Sequence, residues 1–158
     1  MRCMVPQIGE QAPDFELQNQ DGQWVKLSDF RGKKVVLFIF PKANTGGCNA
    51  QACGFRDEFE RISAKNAVVL GMSVSSPEVL KAWKIEKNLP YDLLSDPNKE
   101  ILGKFSADST PLFNIIRIPM VLRSYWVIDE DGIIIGGKAG IGPGSSVQAS
   151  LQDLKIAL

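Results

Sequence analysis

Apolar residues recur along this chain in three rhythms. The first is the unbroken run. Val35-Val36-Leu37-Phe38-Ile39-Phe40 and Ala67-Val68-Val69-Leu70-Gly71-Met72-Ser73-Val74 carry no charge. Short runs rich in β-branched and aromatic residues read as strands buried on both faces. The second is alternation, in Phe15-Glu16-Leu17-Gln18 and Trp24-Val25-Lys26-Leu27, with the turn residues Asn19-Gln20-Asp21-Gly22 between them. That pattern predicts a hairpin. A second hairpin is expected from a strand over 123–128, the turn Asp129-Glu130-Asp131-Gly132 and the apolar triplet Ile133-Ile134-Ile135. The third rhythm is helical. Ala52, Phe55, Phe59 and Ile62 fall on one face of a helix expected to run to about Lys65. Ser76 as cap and Pro77 at the first position open another, which Asn88-Leu89-Pro90 closes. A short strand over 91–94 and a brief helix over 98–105 follow. Ser145 is expected to cap the last helix, with Val147, Leu151, Leu154 and Leu158 on one face.

Two stretches resist the pattern. In 106–120, Pro111, Asn114 and Pro119 interrupt an apolar segment. A buried loop is expected there, with a cover over the site or a partner-binding surface as the alternatives. Residues 136–144 are glycine-rich without the spacing of a P-loop, so a flexible loop is expected rather than a phosphate cradle.

The element order is hairpin, strand, helix, strand, helix, short strand, helix, strand, strand, helix. A βαβ unit followed by a hairpin and a C-terminal helix is the thioredoxin plan. The expected fold class is therefore α/β: a thioredoxin-like fold with an N-terminal β-hairpin extension and a central mixed sheet flanked by helices. The 158 residues are expected to form one domain, 1–158.

Composition narrows the chemistry by what it lacks. Lys+Arg and Asp+Glu are both 18, which gives no support for nucleic-acid or anionic-membrane binding. No apolar run approaches the length of a membrane span, and the start lacks the apolar core of a secretory signal, so a cytoplasmic protein is expected. There is no histidine. That removes Cys-His and Ser-His-Asp catalysis and histidine-bearing zinc sites. The three cysteines are too few for a disulfide scaffold. A zinc site would need Cys3 beside the other two and a fourth ligand from elsewhere; an incidental thiol near the terminus is the expectation for Cys3.

Cys48 stands where the first buried strand hands over to a helix. Pro41, with no N–H for the ladder, ends the strand, and Asn44-Thr45-Gly46-Gly47 form a tight polar loop. A thiol in the first helical turn faces free N–H groups and the positive end of the macrodipole, which favour thiolate. Asn44 or Thr45 is placed to supply an N-cap oxygen. Gly46 and Gly47 let the backbone pass close to whatever the sulfur attacks. Cys53 lies five residues on. On an intact helix that spacing puts the Cα atoms roughly 8–9 Å apart, beyond the ~7 Å that a disulfide tolerates. The two thiols are expected apart when reduced, and joining them is expected to melt the start of the helix.

Pro41, Thr45 and Cys48 match the P-x-x-x-T-x-x-C signature of peroxiredoxins, and Cys53 matches the peroxiredoxin Q or bacterioferritin comigratory protein subgroup. The flanks Leu27-Ser28-Asp29-Phe30-Arg31-Gly32-Lys33 and Gln51-Ala52-Cys53-Gly54-Phe55-Arg56-Asp57 are also similar to that subgroup, as are Leu93-Leu94-Ser95-Asp96-Pro97 and Val127-Ile128-Asp129-Glu130-Asp131-Gly132. The resemblance covers nearly the whole chain. It implies a thiol peroxidase that reduces hydrogen peroxide and organic hydroperoxides. Cys48 would be the peroxidatic cysteine and Cys53 the resolving one, joined in a redox-active disulfide. Thr45 would hydrogen-bond the thiolate and the peroxide, and Pro41 would shield the pocket from water. Arg123 occupies the place of the family's arginine, with Arg117 as the alternative. The implied reductant is thioredoxin or a similar dithiol. No nucleotide, flavin or metal cofactor is implied, and a monomer or weak homodimer is expected. The chain departs from the pattern at Gly46, where proline is usual, and in a longer 106–120 connection.

Two other readings stay open. A thiol–disulfide oxidoreductase would explain two cysteines on this fold, but such enzymes place them as C-x-x-C. A non-catalytic thioredoxin-like binding module leaves Pro41 and Thr45 at their spacing unexplained.

Overall fold

The structure, a computed structural model, describes residues 5–112 and 116–157. Cys3 and Leu158 lie outside the described residues. The elements are β1 (Glu16–Asn19), β2 (Trp24–Lys26), a 3-10 turn (Leu27–Phe30), β3 (Lys34–Ile39), α1 (Gly46–Asp57), α2 (Phe59–Ser63), β4 (Ala67–Ser73), α3 (Pro77–Lys87), β5 (Asp92–Ser95), α4 (Glu100–Lys104), β6 (Thr110–Leu112), β7 (Ile116–Ile118), β8 (Ser124–Ile128), β9 (Ile134–Ala139) and α5 (Pro143–Asp153). Among the described residues, seven strands form one sheet in the order β2-β1-β5-β4-β3-β8-β9. The parallel β3–β4–β5 centre takes β1 on one side and β8 on the other, both antiparallel. This is the mixed sheet expected, with the N-terminal hairpin extending one edge.

The unbroken apolar run of β3 is explained by what covers it. Val36, Phe38 and Phe40 join the core beneath α1, α3 and α5. Val35, Leu37 and Ile39 join a second core on the opposite face, with the 3-10 turn, α4 and the N-terminal segment. Successive strand residues point to opposite faces, so a strand buried on both sides has no polar position.

Register then positions the site. β3 and β8 run antiparallel with Ile39 opposite Ser124. Arg123 therefore arrives just past the end of β3, where the chain enters the Cys48 loop. Tyr125 and Val127 lie in the α1-side core, and the two-residue period puts Arg123 on that same face.

Four expectations need correction. The helix expected to reach Lys65 is two helices, divided at Glu58, whose φ of −99° and ψ of 5° leave the helical region. Of the 106–120 stretch, Phe113, Asn114 and Ile115 lie outside the described residues, Ser106 and Ala107 are buried as expected, and the rest is not a buried loop. It holds the antiparallel pair β6–β7, and Pro111, Leu112, Ile116 and Met120 are exposed. Prolines read as loop breakers, but an edge strand tolerates them. The glycine-rich stretch begins inside a strand: Gly136 and Gly137 belong to β9. A Cβ at Gly136 would lie 2.1 Å from Asp153 Oδ2, and one at Gly137 2.2 Å from Trp126 Cε3. Packing, not flexibility, accounts for those two glycines. Finally, Gly142 rather than Ser145 holds the N-cap of α5, because Pro143 takes the first helical position.

The third helix forms as its signals indicate. Ser76 Oγ accepts the Val79 N–H at 3.4 Å, and Asn88 ends α3 in the left-handed region. Among the described residues no helix is long and apolar enough to cross a membrane.

Candidate active site

The site starts from the turn after β3. Phe40 N–H reaches Met72 O at 3.1 Å, the last ladder-like bond before half-buried Pro41. Asn44 then takes a φ of 60°, a left-handed conformation that asparagine tolerates. Thr45 is extended and holds the N-cap of α1, as expected, but its side chain makes no capping bond. Its hydroxyl instead donates to Lys42 O at 2.9 Å. Gly46 and Gly47 form the first helical positions rather than part of the tight loop expected, and Cys48 follows, buried, with its thiol free.

Arg123 Nη2 lies 3.5 Å from Cys48 Sγ, and Nη1 donates to Gln51 Oε1 at 2.8 Å. The guanidinium thus spans one turn of α1. Gly47 makes this approach possible, since a Cβ there would lie 2.8 Å from Nη2. Arg117, the alternative arginine, is engaged elsewhere. Its Nε and Nη2 donate to the Ser109 hydroxyl and carbonyl at 2.6 and 2.7 Å.

Cys53 sits half-buried near the middle of α1, also with its thiol free. The helix is continuous between the two cysteines, and two donors from outside hold it so. Trp83 Nε1 donates to Asn49 Oδ1 at 2.6 Å, and Tyr91 OH donates to Ala52 O at 2.5 Å. Burial pushes the ionisation of Tyr91 well above its ordinary range, so it remains a donor. Joining the thiols would require unwinding a segment tied to α3, to Tyr91 just before β5 and to Arg123.

The structure therefore brings Pro41, Thr45, Cys48, Cys53 and Arg123 to one end of β3 and the first turns of α1. It also adds residues that sequence reasoning passed over. Cys48, Gln51, Ala52 and Phe55 are the buried stripe of α1. A glutamine inside that apolar stripe was the available signal for Gln51. Gly47 was read as room for the attacked group; it is room for Arg123. Ser146, on α5, accepts Gln51 Nε2–H at 3.1 Å and carried no signal.

A profile described as the AhpC/TSA family matches residues 8–136. Peroxiredoxin Bcp of Bacillus subtilis is 36% identical over 152 residues, which cover 96% of this chain and 97% of that protein. A putative peroxiredoxin Bcp of Haemophilus influenzae is 40% identical over 128 residues, covering 81% and 83%. Among solved structures, peroxidoxin BcpB from Mycobacterium tuberculosis superposes with a TM-score of 0.84 at 27% identity, covering 95% of this chain and 97% of that one.

Proposed function

Because this chain belongs to the AhpC/TSA family and is a peroxiredoxin of the Bcp kind, a thiol-dependent peroxidase, we propose that its cycle runs through Cys48 and Cys53. The observation that carries this reading is the Arg123 guanidinium 3.5 Å from the free Cys48 sulfur at the first turn of α1. The Cys48 thiolate attacks one oxygen of hydrogen peroxide or an organic hydroperoxide. An S–O bond forms as the O–O bond breaks, and the leaving oxygen takes a proton to become water or an alcohol. Cys48 is left as sulfenic acid. Cys53, as thiolate, then attacks the Cys48 sulfur; the S–O bond breaks, the hydroxide takes a proton, and a Cys48–Cys53 disulfide remains. An external dithiol, a thioredoxin-like protein, reduces that disulfide and is itself oxidised. A cytoplasmic setting supplies such dithiols.

Thr45 fits one role in this scheme especially well. Its proton is committed to the Lys42 carbonyl, so its lone pairs are free to accept the O–H of the incoming hydroperoxide. In this scheme Pro41, which has no N–H to offer a water, helps to keep the pocket dry. Without Cys53 the sulfenic acid persists and is open to further oxidation.

The test is stopped-flow tryptophan fluorescence of the reduced protein against hydrogen peroxide, with intact mass on the product. The expected result is a phase first order in peroxide, ending in a product lighter by two hydrogens. Cys53→Ser should show the same first phase and end one oxygen heavier. No reaction with hydrogen peroxide or an organic hydroperoxide, alongside ready exchange with disulfides, would sink this cycle in favour of a thiol–disulfide oxidoreductase.

Gly47 gives a local check. Gly47→Ala puts a methyl 2.8 Å from Arg123 Nη2, and Gln51 denies the arginine an easy retreat. The reaction with peroxide should slow by about tenfold. Gly46→Ala, with nothing within 4 Å of the new methyl, is the control. Equal rates for the two variants would show that the arginine position is immaterial.

A further inference from the structure

Two of the side chains that tie down α1 take no part in the chemistry above. Trp83 and Tyr91 lie outside that helix, on α3 and just before β5, yet both donate into the segment between the two cysteines. Trp83 Nε1 reaches Asn49 Oδ1 at 2.6 Å, and Tyr91 OH reaches Ala52 O at 2.5 Å. Neither donor is free to follow the helix. The Trp83 ring packs on Phe40 at a centroid separation of 5.0 Å, and the Tyr91 ring meets Phe38 edge-on at 5.6 Å. Both side chains are almost wholly buried, at 2% and 4% exposure. When the start of α1 unwinds, each polar hydrogen loses its partner inside a core, where an unmade hydrogen bond is costly. Past Cys53 the helix has its own anchors. Phe55 is buried, and Arg56 Nη1 donates to Lys87 O at 2.7 Å, at the end of α3. The turns that must open are therefore the ones that the two aromatic donors grip.

We propose that Trp83 and Tyr91 are positioning residues for the disulfide-forming step. Their two hydrogen bonds latch α1 in its helical form, and so set how long the Cys48 sulfenic acid waits for Cys53. The proposal rests on the roles given above to Cys48 and Cys53. The wait has a chemical consequence. A second hydrogen peroxide can meet the sulfenic acid first. A second S–O bond then forms, the O–O bond breaks, water leaves, and a sulfinic acid remains that Cys53 cannot resolve. The latch holds Cys48 in place for the first peroxide, and it lengthens the exposure of the product to the next.

The experiment mixes reduced protein with hydrogen peroxide, stops the reaction with acid at set times and separates the products by intact mass. The parent is compared with Tyr91→Phe, Trp83→Phe, the double variant and Leu102→Ala. Phenylalanine keeps an aromatic ring in each place and removes the donor. Each single variant should form the disulfide about threefold to tenfold faster, the scale of one net hydrogen bond. The double variant should multiply the two gains, because the bonds share no group and break in the same unwinding. Consumption of the first peroxide should stay as in the parent, a split that a loss of packing around Cys48 would not give. With dithiothreitol recycling the protein under excess peroxide, the fraction that ends two oxygens heavier should fall as the disulfide step quickens. Leu102, 0% exposed, belongs to the core on the opposite face of the sheet. Its truncation lowers stability without touching α1 and should leave the disulfide step unchanged.

A disulfide step no faster than the parent's in either phenylalanine variant overturns the proposal. So does an equal acceleration in Leu102→Ala, which would reduce the latch to general stability. If Trp83→Phe fails to fold, Tyr91→Phe carries the test alone. If the parent itself ends one oxygen heavier and forms no disulfide, the role of Cys53 falls and takes the latch with it.

Discussion

Cys48→Ser should give a folded protein that no longer reduces peroxide, with a loss of at least about four orders of magnitude. The substitution is nearly isosteric at a position 0% exposed, and a hydroxyl can still accept from Arg123, so the buried contact survives. What disappears is the nucleophile. A thiol with an ordinary pKa is already a few per cent ionised near neutrality, and its sulfur is soft and reactive; an unactivated serine hydroxyl is neither. No local base can rescue it. The chain contains no histidine, and the charged group beside this side chain is the Arg123 guanidinium, which has donors and no acceptor. Circular dichroism and thermal melting should match the parent while the stopped-flow phase vanishes. A surviving fast phase would move the nucleophile to another cysteine and overturn the assignment.

Much of this site is legible in the linear chain because its local chemistry is local in sequence. Pro41, Thr45, Cys48 and Cys53 occupy one turn and one helix, and the buried run before them announces the strand they follow. Arg123 is a different case. Nothing in its immediate neighbours separates it from a surface charge. The Ile39–Ser124 register brings it to Cys48, and pairing register is a property of the sheet. Gln51 and Ser146 are harder still, since their hydrogen bonds cross from α1 to α5. The glycines of β9 mislead for a related reason: small residues signal looseness in sequence, but Gly136 and Gly137 make room for Asp153 and Trp126. The exposed β6–β7 pair misleads in reverse, because apolar residues broken by proline resemble a buried loop until the strands are seen to pair.

Arg123→Ala should slow the reaction with hydrogen peroxide by about a hundredfold to a thousandfold. Ionisation alone cannot account for a fast peroxidase. Taking an ordinary thiol from a few per cent to full thiolate gains at most about thirtyfold, roughly 2 kcal/mol. Part of that is returned, because nucleophilicity falls with basicity. The remaining acceleration has to come from donors aimed at the charge that builds on the departing oxygen. Arg123 is such a donor: a fixed cation, half-buried, with Nη1 held by Gln51 and Nη2 at the sulfur. Alkylation by a neutral reagent reports thiolate availability without breaking an O–O bond. Arg123→Ala should slow alkylation by no more than about tenfold, far less than it slows peroxide reduction. Arg123→Lys should fall between the two, because an ammonium cannot hold Gln51 and face the sulfur with one planar fork. The alanine variant also leaves the Gln51 oxygen buried without its partner, at a cost of about 1–3 kcal/mol, so rates belong well below its melting temperature. Equal losses in alkylation and peroxide reduction would reduce Arg123 to a stabiliser of thiolate and leave the transition state to other donors.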